Sequence, residues 1–369
     1  MALADELCAI QADATLGIST GRATAASNTW LLWHQFCCSL HQDPTLQDVD
    51  DPIPLLRIFA RRYRTGIIAP SGGPVRSRTV EEALRAVGQT IATLGSRDPR
   101  LQPSGKLDIR LARQLKAYKR IDPPPHRVKP IPIPIITHAA QLCRLANTAQ
   151  AHTIADMLLL GFYFLLRPGE YAHTDNPDSA PFRLCDIHLL RGPMRLNTYT
   201  ATEADIRSAT HVALEFTQQK NGVQGELIGL GRSGDPQWCP VLAVINRVLH
   251  FRTHRAPRDT PLYSYFTNGA WHVIRSSVLT QHLRAAAQAM GAASGITAAD
   301  ISVRSLCSSG AMALLCAAVD PDKIRLLGRW RSDEMLRYLH VQAFPIIASL
   351  AAQMLLHGHF ALIPNNRLP

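Results

Sequence analysis

Ile301-Ser302-Val303-Arg304, Leu327-Gly328-Arg329-Trp330 and Tyr338 stand close together near the end of the chain. Within one short, helix-patterned region they collect a phenol, two arginines and an indole. A tyrosine hydroxyl is a weak nucleophile near neutral pH, because it titrates near about 10. It becomes effective when guanidinium groups hold a phosphate and absorb its developing charge. The spacing matters as much as the residue types: Tyr338 lies 34 residues after Arg304 and 10 after Gly328. Arg304 opens a predicted helix over 303–318, where backbone N–H groups already favour an anion. Arg329 and Trp330 offer two further donors in a glycine turn. Tyr338 falls on a predicted helix over 333–339, and its plain alternative is a half-buried structural tyrosine.

Upstream, Leu165-Leu166-Arg167-Pro168-Gly169-Glu170-Tyr171 places an arginine at the end of a long apolar run. Such a charge is costly unless it is paired or faces a ligand. A salt bridge with Glu170 is its simplest fate. Helices are predicted over 138–146 and 153–166. Three strand-like runs follow at 183–189, 211–216 and 225–229. The last two are joined through Asn221-Gly222, a hairpin-turn dipeptide. Lys220 sits at the tip of that hairpin, where it can reach a groove of DNA and donate a proton to a leaving oxygen. Solvated turn lysines are common, so the position alone decides little. Everything after the hairpin is predicted helical, over 241–251, 278–290, 303–318, 322–327, 333–339 and 344–356.

The first 120 residues are predicted to be all-helical. Trp30, Leu31, Trp33 and Phe36 form an apolar run, and Leu55, Ile58 and Phe59 form a second face. Thr79 followed by Glu82 has the spacing of a capping box that opens a helix through Gly95. Leu107, Ile109, Leu111 and Leu115 give a further apolar face over 107–119. The aromatic residues are assigned to the core.

Charge separates the chain. The net charge is +11, yet residues 1–56 carry one arginine, Arg22, and seven acids. From Arg57 to Lys129 there are 17 Lys/Arg against five acids. A one-sided excess over a contiguous stretch favours a phosphate-tracking face. Arg61, Arg62, Arg64, Arg76, Arg78, Arg113, Lys116, Lys119, Arg127 and Lys129 are the candidate DNA contacts. Phosphate and base contacts use the same residue types, so the target sequence cannot be read from them.

A length of 369 residues with 46% hydrophobic and 18% charged residues fits two globular domains. Asp122-Pro123-Pro124-Pro125 and the prolines at 130, 132 and 134 mark a stiff, extended linker. The predicted organisation is a helical DNA-binding domain over 1–121, a linker over 122–134 and a second domain over 135–369. None of the eight cysteines forms a C-x-x-C pair, and most sit in apolar runs, which favours reduced thiols. His250 and His254 are four apart but lack an H-E-x-x-H context, so no metal and no cofactor is assigned. No signal peptide or membrane-length apolar run is visible, so the expectation is an unsecreted protein, nuclear in a eukaryotic host and otherwise cytoplasmic.

Taken in order, Arg167, Lys220, Arg304 and Tyr338 resemble the tyrosine recombinase (phage integrase-like) family. The 165–171 stretch looks like its first arginine box, and Arg304 matches the arginine of its H-x-x-R box. Gly328-Arg329-Trp330-Arg331-Ser332-Asp333, continuing to Arg337-Tyr338, is especially similar to recombinases of eukaryotic mobile elements. Two positions depart from the pattern. Ile301 stands where the family has a histidine, and Arg329 stands where it has histidine or tryptophan.

The resemblance implies a mainly α fold, with a small antiparallel β-sheet in the C-terminal domain of a two-domain recombinase architecture. It implies that Tyr338 attacks the scissile phosphate, held by Arg167 and Arg304. Lys220 protonates the departing 5′ oxygen, Arg329 is a further catalytic donor, and Glu170 and Trp330 support the site. A 3′-phosphotyrosyl link conserves the energy of the broken bond, so neither ATP nor metal is needed. The implied partners are double-stranded DNA and other copies of the chain, assembled as a tetramer on DNA. The apolar 344–356 helix has two readings that stay open: it folds back on its own core, or, as the resemblance implies, it docks into a neighbouring copy. Two other readings stay open. One is a domesticated DNA-binding protein that no longer cleaves, favoured by Ile301. The other is a relaxing enzyme like the type IB topoisomerases, acting alone.

Overall fold

The computed structural model describes residues 20–124, 128–176, 178–217, 225–290 and 296–330. The chain divides into two compact units, residues 1–125 and 126–369.

The first unit is helical: α1 (Thr20–Cys38), α2 (Ile53–Arg64), α3 (Ser77–Thr93) and α4 (Ile109–Ile121). Its core centres on Trp33, which meets Phe59 edge-on at 5.1 Å and donates its indole N–H to the Pro44 carbonyl at 2.8 Å. α2 buries Ile53, Leu56, Phe59, Ala60 and Tyr63, one stripe at helical spacing. Of the face predicted from Leu55, Ile58 and Phe59, only Phe59 is fully buried, because the other two lie off that stripe. Leu31 and Ile109 likewise point outward, 59% and 54% exposed, and α4 buries Leu111 alone.

The predicted capping box at Thr79 and Glu82 is not used. α3 starts two residues earlier, at Ser77, whose N–H and hydroxyl donate to the Asp122 carboxylate at 2.9 and 2.5 Å. Glu82 pairs with Arg78 instead. Asp122 also takes an ion pair from Arg64 at 2.5 Å, so one carboxylate past the end of α4 fastens α2 and α3. A helix N-terminus accepts an oxygen from anywhere in the fold, which sequence-local capping rules do not anticipate.

In the second unit, α5 (Ile133–Leu145) opens with Pro132 as its cap and Pro134 in its first turn. These two prolines therefore start a helix, where the sequence pattern predicts an extended linker. Proline is well suited to a first turn, whose N–H has no intrahelical acceptor. α6 (Ala149–Tyr163) is buried from Ala151 to Phe162 with few gaps and forms the centre of the unit.

A four-stranded antiparallel sheet follows in the order β2-β1-β3-β4, from β1 (Ile187–Arg191), β2 (Met194–Leu196), β3 (His211–Phe216) and β4 (Glu226–Gly231). β3 pairs Leu214 with Ile228 and alternates inward Val212, Leu214 and Phe216 with more exposed positions. The strand predicted over 183–189 begins only at Ile187. Residues Leu184–Asp186 form a 3-10 turn in which Asp186 folds back onto the Arg183 N–H at 2.8 Å.

Four features go beyond the sequence-based expectation: the single-turn α7 (Pro168–Tyr171), β2, a short α8 (Glu203–Arg207) and a second hairpin, β5 (Ser264–Thr267) with β6 (Ala270–Val273). That hairpin turns on Asn268 and Gly269, both at positive φ, the geometry of a two-residue turn. α9 (Pro240–Thr253), α10 (Ser276–Met290), α11 (Ser305–Cys316) and α12 (Pro321–Leu327) complete the described unit. The architecture is mainly helical with a small antiparallel sheet in the second unit, in agreement with the fold class predicted from the sequence.

Candidate functional site

α6 ends at Tyr163, and the chain reverses through Leu165, held at φ 51°. The Leu166 N–H closes the turn on the Gly161 carbonyl at 3.1 Å. A left-handed branched residue costs on the order of 1–2 kcal/mol. Here the cost falls at the turn that delivers Arg167. Arg167 caps the single-turn helix α7 (Pro168–Tyr171). Glu170 folds back and accepts the Arg167 N–H at 2.8 Å and its guanidinium Nη1 at 3.4 Å. The expected salt bridge therefore exists, and it still leaves the Arg167 side chain 32% exposed.

Tyr171 is buried, and its hydroxyl donates to the Val303 carbonyl at 2.8 Å. Burial holds this phenol well above the usual tyrosine range, so it is a structural bond and not a nucleophile. The bond fastens the first arginine segment to the residue just before Arg304.

Arg304 precedes α11, with its backbone N–H on the Ser302 hydroxyl at 3.2 Å. Its side chain is exposed and makes no hydrogen bond or ion pair with the described residues. Val303 is braced from the other side, its N–H donating to Thr280 Oγ1 at 3.3 Å. Ile301 is fully buried in the main core, and its carbonyl accepts from Arg284 at 3.0 Å. It works as a packing residue and cannot hydrogen-bond a phosphate.

α11 approaches the end of α6 so closely that a Cβ on Gly310 would lie 2.2 Å from the Phe162 carbonyl oxygen. Cys307, one turn beyond Arg304, lies within electrostatic reach of Arg329, Glu170 and Arg167. Burial pushes its thiol up to about 12, so it stays protonated.

Arg329 departs from expectation. The resemblance implies a phosphate donor at this position, yet its side chain is 2% exposed. Nη2 meets Glu170 Oε2 at 3.0 Å and the Leu165 carbonyl at 3.5 Å. Nη1 donates to the carbonyls of Phe164 and Leu327, each at 3.3 Å. The guanidinium carbon lies 3.9 Å from the centre of the Phe216 ring. Burial draws this guanidinium below its usual value while Glu170 opposes the shift. Trp330 packs its ring over Gly328, where a Cβ would come within 1.8 Å of it, so a larger residue there would force the indole to move.

Lys220, Tyr338, Arg127 and the 344–356 segment lie outside the described residues. The remaining basic candidates separate. Arg61, Arg113, Lys116 and Lys119 are exposed and make no side-chain bond to the described residues. Arg62 lies over the Phe36 ring, and Arg76 donates to the Pro124 carbonyl. Arg78 pairs with Glu82 on the surface. Arg64 is inward-facing, bonded to Asp122 and the Val75 carbonyl and set over the Tyr118 ring, so its guanidinium is engaged within the first unit. Lys129 is likewise paired, its Nζ to Asp300 at 3.0 Å and its N–H to the Asp300 carbonyl at 2.9 Å. Together with the Ile131 N–H on Ser309 Oγ at 2.6 Å, these bonds seat the chain entering the second unit on the segment that carries Arg304.

Sequence reasoning missed Tyr171, Cys307 and the buried role of Arg329. The one sign of Tyr171 in the sequence is an aromatic residue closing an apolar run. Among the described residues, no group of three or more His, Cys, Asp or Glu is placed to hold a metal ion, and no helix is long and apolar enough to cross a membrane.

No family model and no curated protein matches the chain. Among solved structures, the chain is similar to one described as XerA recombinase, at 13% identity and a TM-score of 0.36, over 94% of this chain and 96% of that one. It is also similar to the Tn1549 transposon integrase in complex with transposon right end DNA, at 10% identity and a TM-score of 0.45, over 82% of this chain and 84% of that one. At these identities neither likeness gives a residue-by-residue correspondence.

Proposed function

We propose that this chain breaks and rejoins DNA by transesterification, in the manner of a tyrosine recombinase. The observation that carries this reading is the Tyr171–Val303 bond. It ties the segment of Arg167 to that of Arg304, 137 positions later in the chain. Arg167 is oriented by Glu170 and stays 32% exposed, and Arg304 is exposed without a side-chain partner among the described residues. Two solvent-accessible arginines on tied segments suit a phosphodiester, whose transition state gathers charge on its non-bridging oxygens.

In the proposed reaction, Arg167 and Arg304 clamp the scissile phosphate and Glu170 holds the angle of Arg167. The Tyr338 oxygen attacks phosphorus in line. The 5′ oxygen leaves with a proton from Lys220, the residue the sequence places on the β3–β4 connection. A 3′-phosphotyrosyl bond then stores the energy for rejoining to another 5′ hydroxyl. The roles of Lys220 and Tyr338 are those that the family resemblance implies. The exposed cations of α4 would track the DNA backbone, and several copies of the chain would assemble on paired sites.

A pool of nicked duplexes of randomised sequence tests the reaction, because loss of the short strand past the nick traps a covalent adduct. The expected result is a protease-resistant tyrosyl link to DNA in the native protein and none in Tyr338→Phe, with DNA binding retained. The burial of Ile301 favours a second reading, a DNA-binding protein without cleavage. DNA binding with no adduct from any duplex would select that reading.

A further inference from the structure

Arg329 occupies an unusual backbone position. α12 ends in a two-bond terminus: the Trp330 N–H reaches the Arg325 carbonyl and the Arg329 N–H reaches the Leu326 carbonyl, both at 3.0 Å. This pattern places the residue after the cap in the left-handed region, where glycine is strongly preferred. Arg329 sits there at φ 56°. It therefore carries backbone strain that glycine would relieve. It also carries the cost of a buried guanidinium whose Nε finds no acceptor. Two local costs at one residue call for a compensating task.

The side chain touches three segments that the proposed reaction needs. It meets Glu170, the same carboxylate that receives the backbone and guanidinium of Arg167. It bonds the Phe164 and Leu165 carbonyls, inside the strained turn that leads to Arg167. It also lies on the ring of Phe216, the last residue of β3, from which the chain continues towards Lys220. Its own backbone begins the segment that leads to Tyr338.

We infer that Arg329 is a positioning residue: it holds Glu170, and through it Arg167, and it packs the end of β3 against the turn that precedes Arg167. It does not touch the phosphate. The inference rests on the DNA-cleavage reading above. It differs from what the family resemblance implies for this position, where the side chain is a direct donor.

The test uses Arg329→Gly, which removes the guanidinium while relieving the left-handed strain and so favours retention of the fold, with Arg329→Lys beside it. The substrate is the duplex enriched through the covalent protein, made with an ordinary phosphate or with an uncharged methylphosphonate at the scissile position. Removing the phosphate charge rescues a variant that lost a cation in contact with that phosphate. The expected result is a fall in adduct formation of roughly 100-fold, the scale of a misplaced group at a reacting centre. DNA affinity should stay unchanged, and the methylphosphonate should give no rescue in either Arg329 variant. The same methylphosphonate should restore Arg304→Ala. Rescue of Arg329→Gly to the same extent as Arg304→Ala, or an unchanged rate, would overturn the inference.

A second readout does not depend on cleavage. In the protein labelled with nitrogen-15 at arginine, the Arg167 Nε–H signal should become mobile in Arg329→Gly and stay ordered in Arg304→Ala. An unchanged Arg167 signal overturns the positioning role even if no adduct forms. Absence of adduct with a mobilised Arg167 overturns the cleavage reading instead.

Discussion

The Tyr171 hydroxyl donates to the Val303 carbonyl at 2.8 Å in a fully buried setting, joining the chain after Arg167 to the chain before Arg304. The neighbouring braces act on one side at a time: Thr280 holds the Val303 N–H, and Glu170 holds the Arg167 N–H. The phenol spans both sides at once.

Tyr171→Phe keeps the ring and removes the donor. The Val303 carbonyl is then left buried without that partner, at a cost of about 1–3 kcal/mol. We expect the midpoint of urea unfolding to fall with its slope unchanged, and covalent adduct formation to fall further than stability alone explains. An unchanged midpoint would show that the carbonyl finds another donor and that the two segments are held by packing.

The parts of this arrangement that are legible in the sequence are those set by neighbours in the chain. Arg167 and Glu170 sit three residues apart around a proline, and their pairing follows from that spacing. Arg304 at the start of α11 follows from the apolar run after it. The burial of Arg329 does not follow, because its partners at 164, 165, 170 and 216 are far away in sequence. The cap of α3 is hidden for the same reason, since its acceptor is Asp122. The β5–β6 hairpin is a different kind of miss. Asn268-Gly269 between Tyr265-Phe266 and Trp271 carries the same turn signal as Asn221-Gly222.

Gly310 tests whether the close approach of α11 to α6 sets the site. A methyl there would meet the Phe162 carbonyl oxygen at 2.2 Å and Leu165 Cδ2 at 2.3 Å. The leucine tip can move, but the carbonyl belongs to the helix end and cannot. Gly310→Ala should therefore destabilise by about 1–3 kcal/mol, as overpacking does, despite the better helix propensity of alanine. Thermal unfolding reads this directly. A stabilised variant would mean that α11 shifts freely, and that the position of Arg304 is not fixed by this crossing.

The exposed cations of α4 should act by neutralising phosphates. Replacing Arg113, Lys116 and Lys119 together with alanine should weaken DNA binding. It should also flatten the salt dependence, by about 0.9 in the log–log slope for each phosphate no longer neutralised. Arg64→Ala is the control, because that guanidinium is occupied by Asp122. It should lower stability and leave the salt slope alone. Fluorescence anisotropy across a salt series separates the two effects. An unchanged slope in the triple variant would place the DNA face elsewhere.

Asp156 and His250 line one cleft beside Arg247 in the second unit, and they titrate in opposite senses. Burial raises the Asp156 carboxyl from 3.8 to about 7, against the pull of Arg247 and Arg144. The folded state therefore holds a proton that the unfolded chain has released. The stability due to Asp156 is present below pH 3.8 and is lost as pH rises towards about 7. Burial lowers His250 from 6.5 to about 4, with Arg247 and the neighbouring histidines adding to the effect. Its contribution is complete above pH 6.5 and is lost as pH falls towards about 4. The two slopes oppose each other across the shared window. Asp156→Asn removes one of them and keeps a polar group facing Asn246. The variant should show stability that climbs more steeply with pH between about 4 and 6.5 than in the native protein. Urea unfolding at a series of pH values measures that difference, and parallel curves for the two proteins would mean that Asp156 is ionised in the folded state.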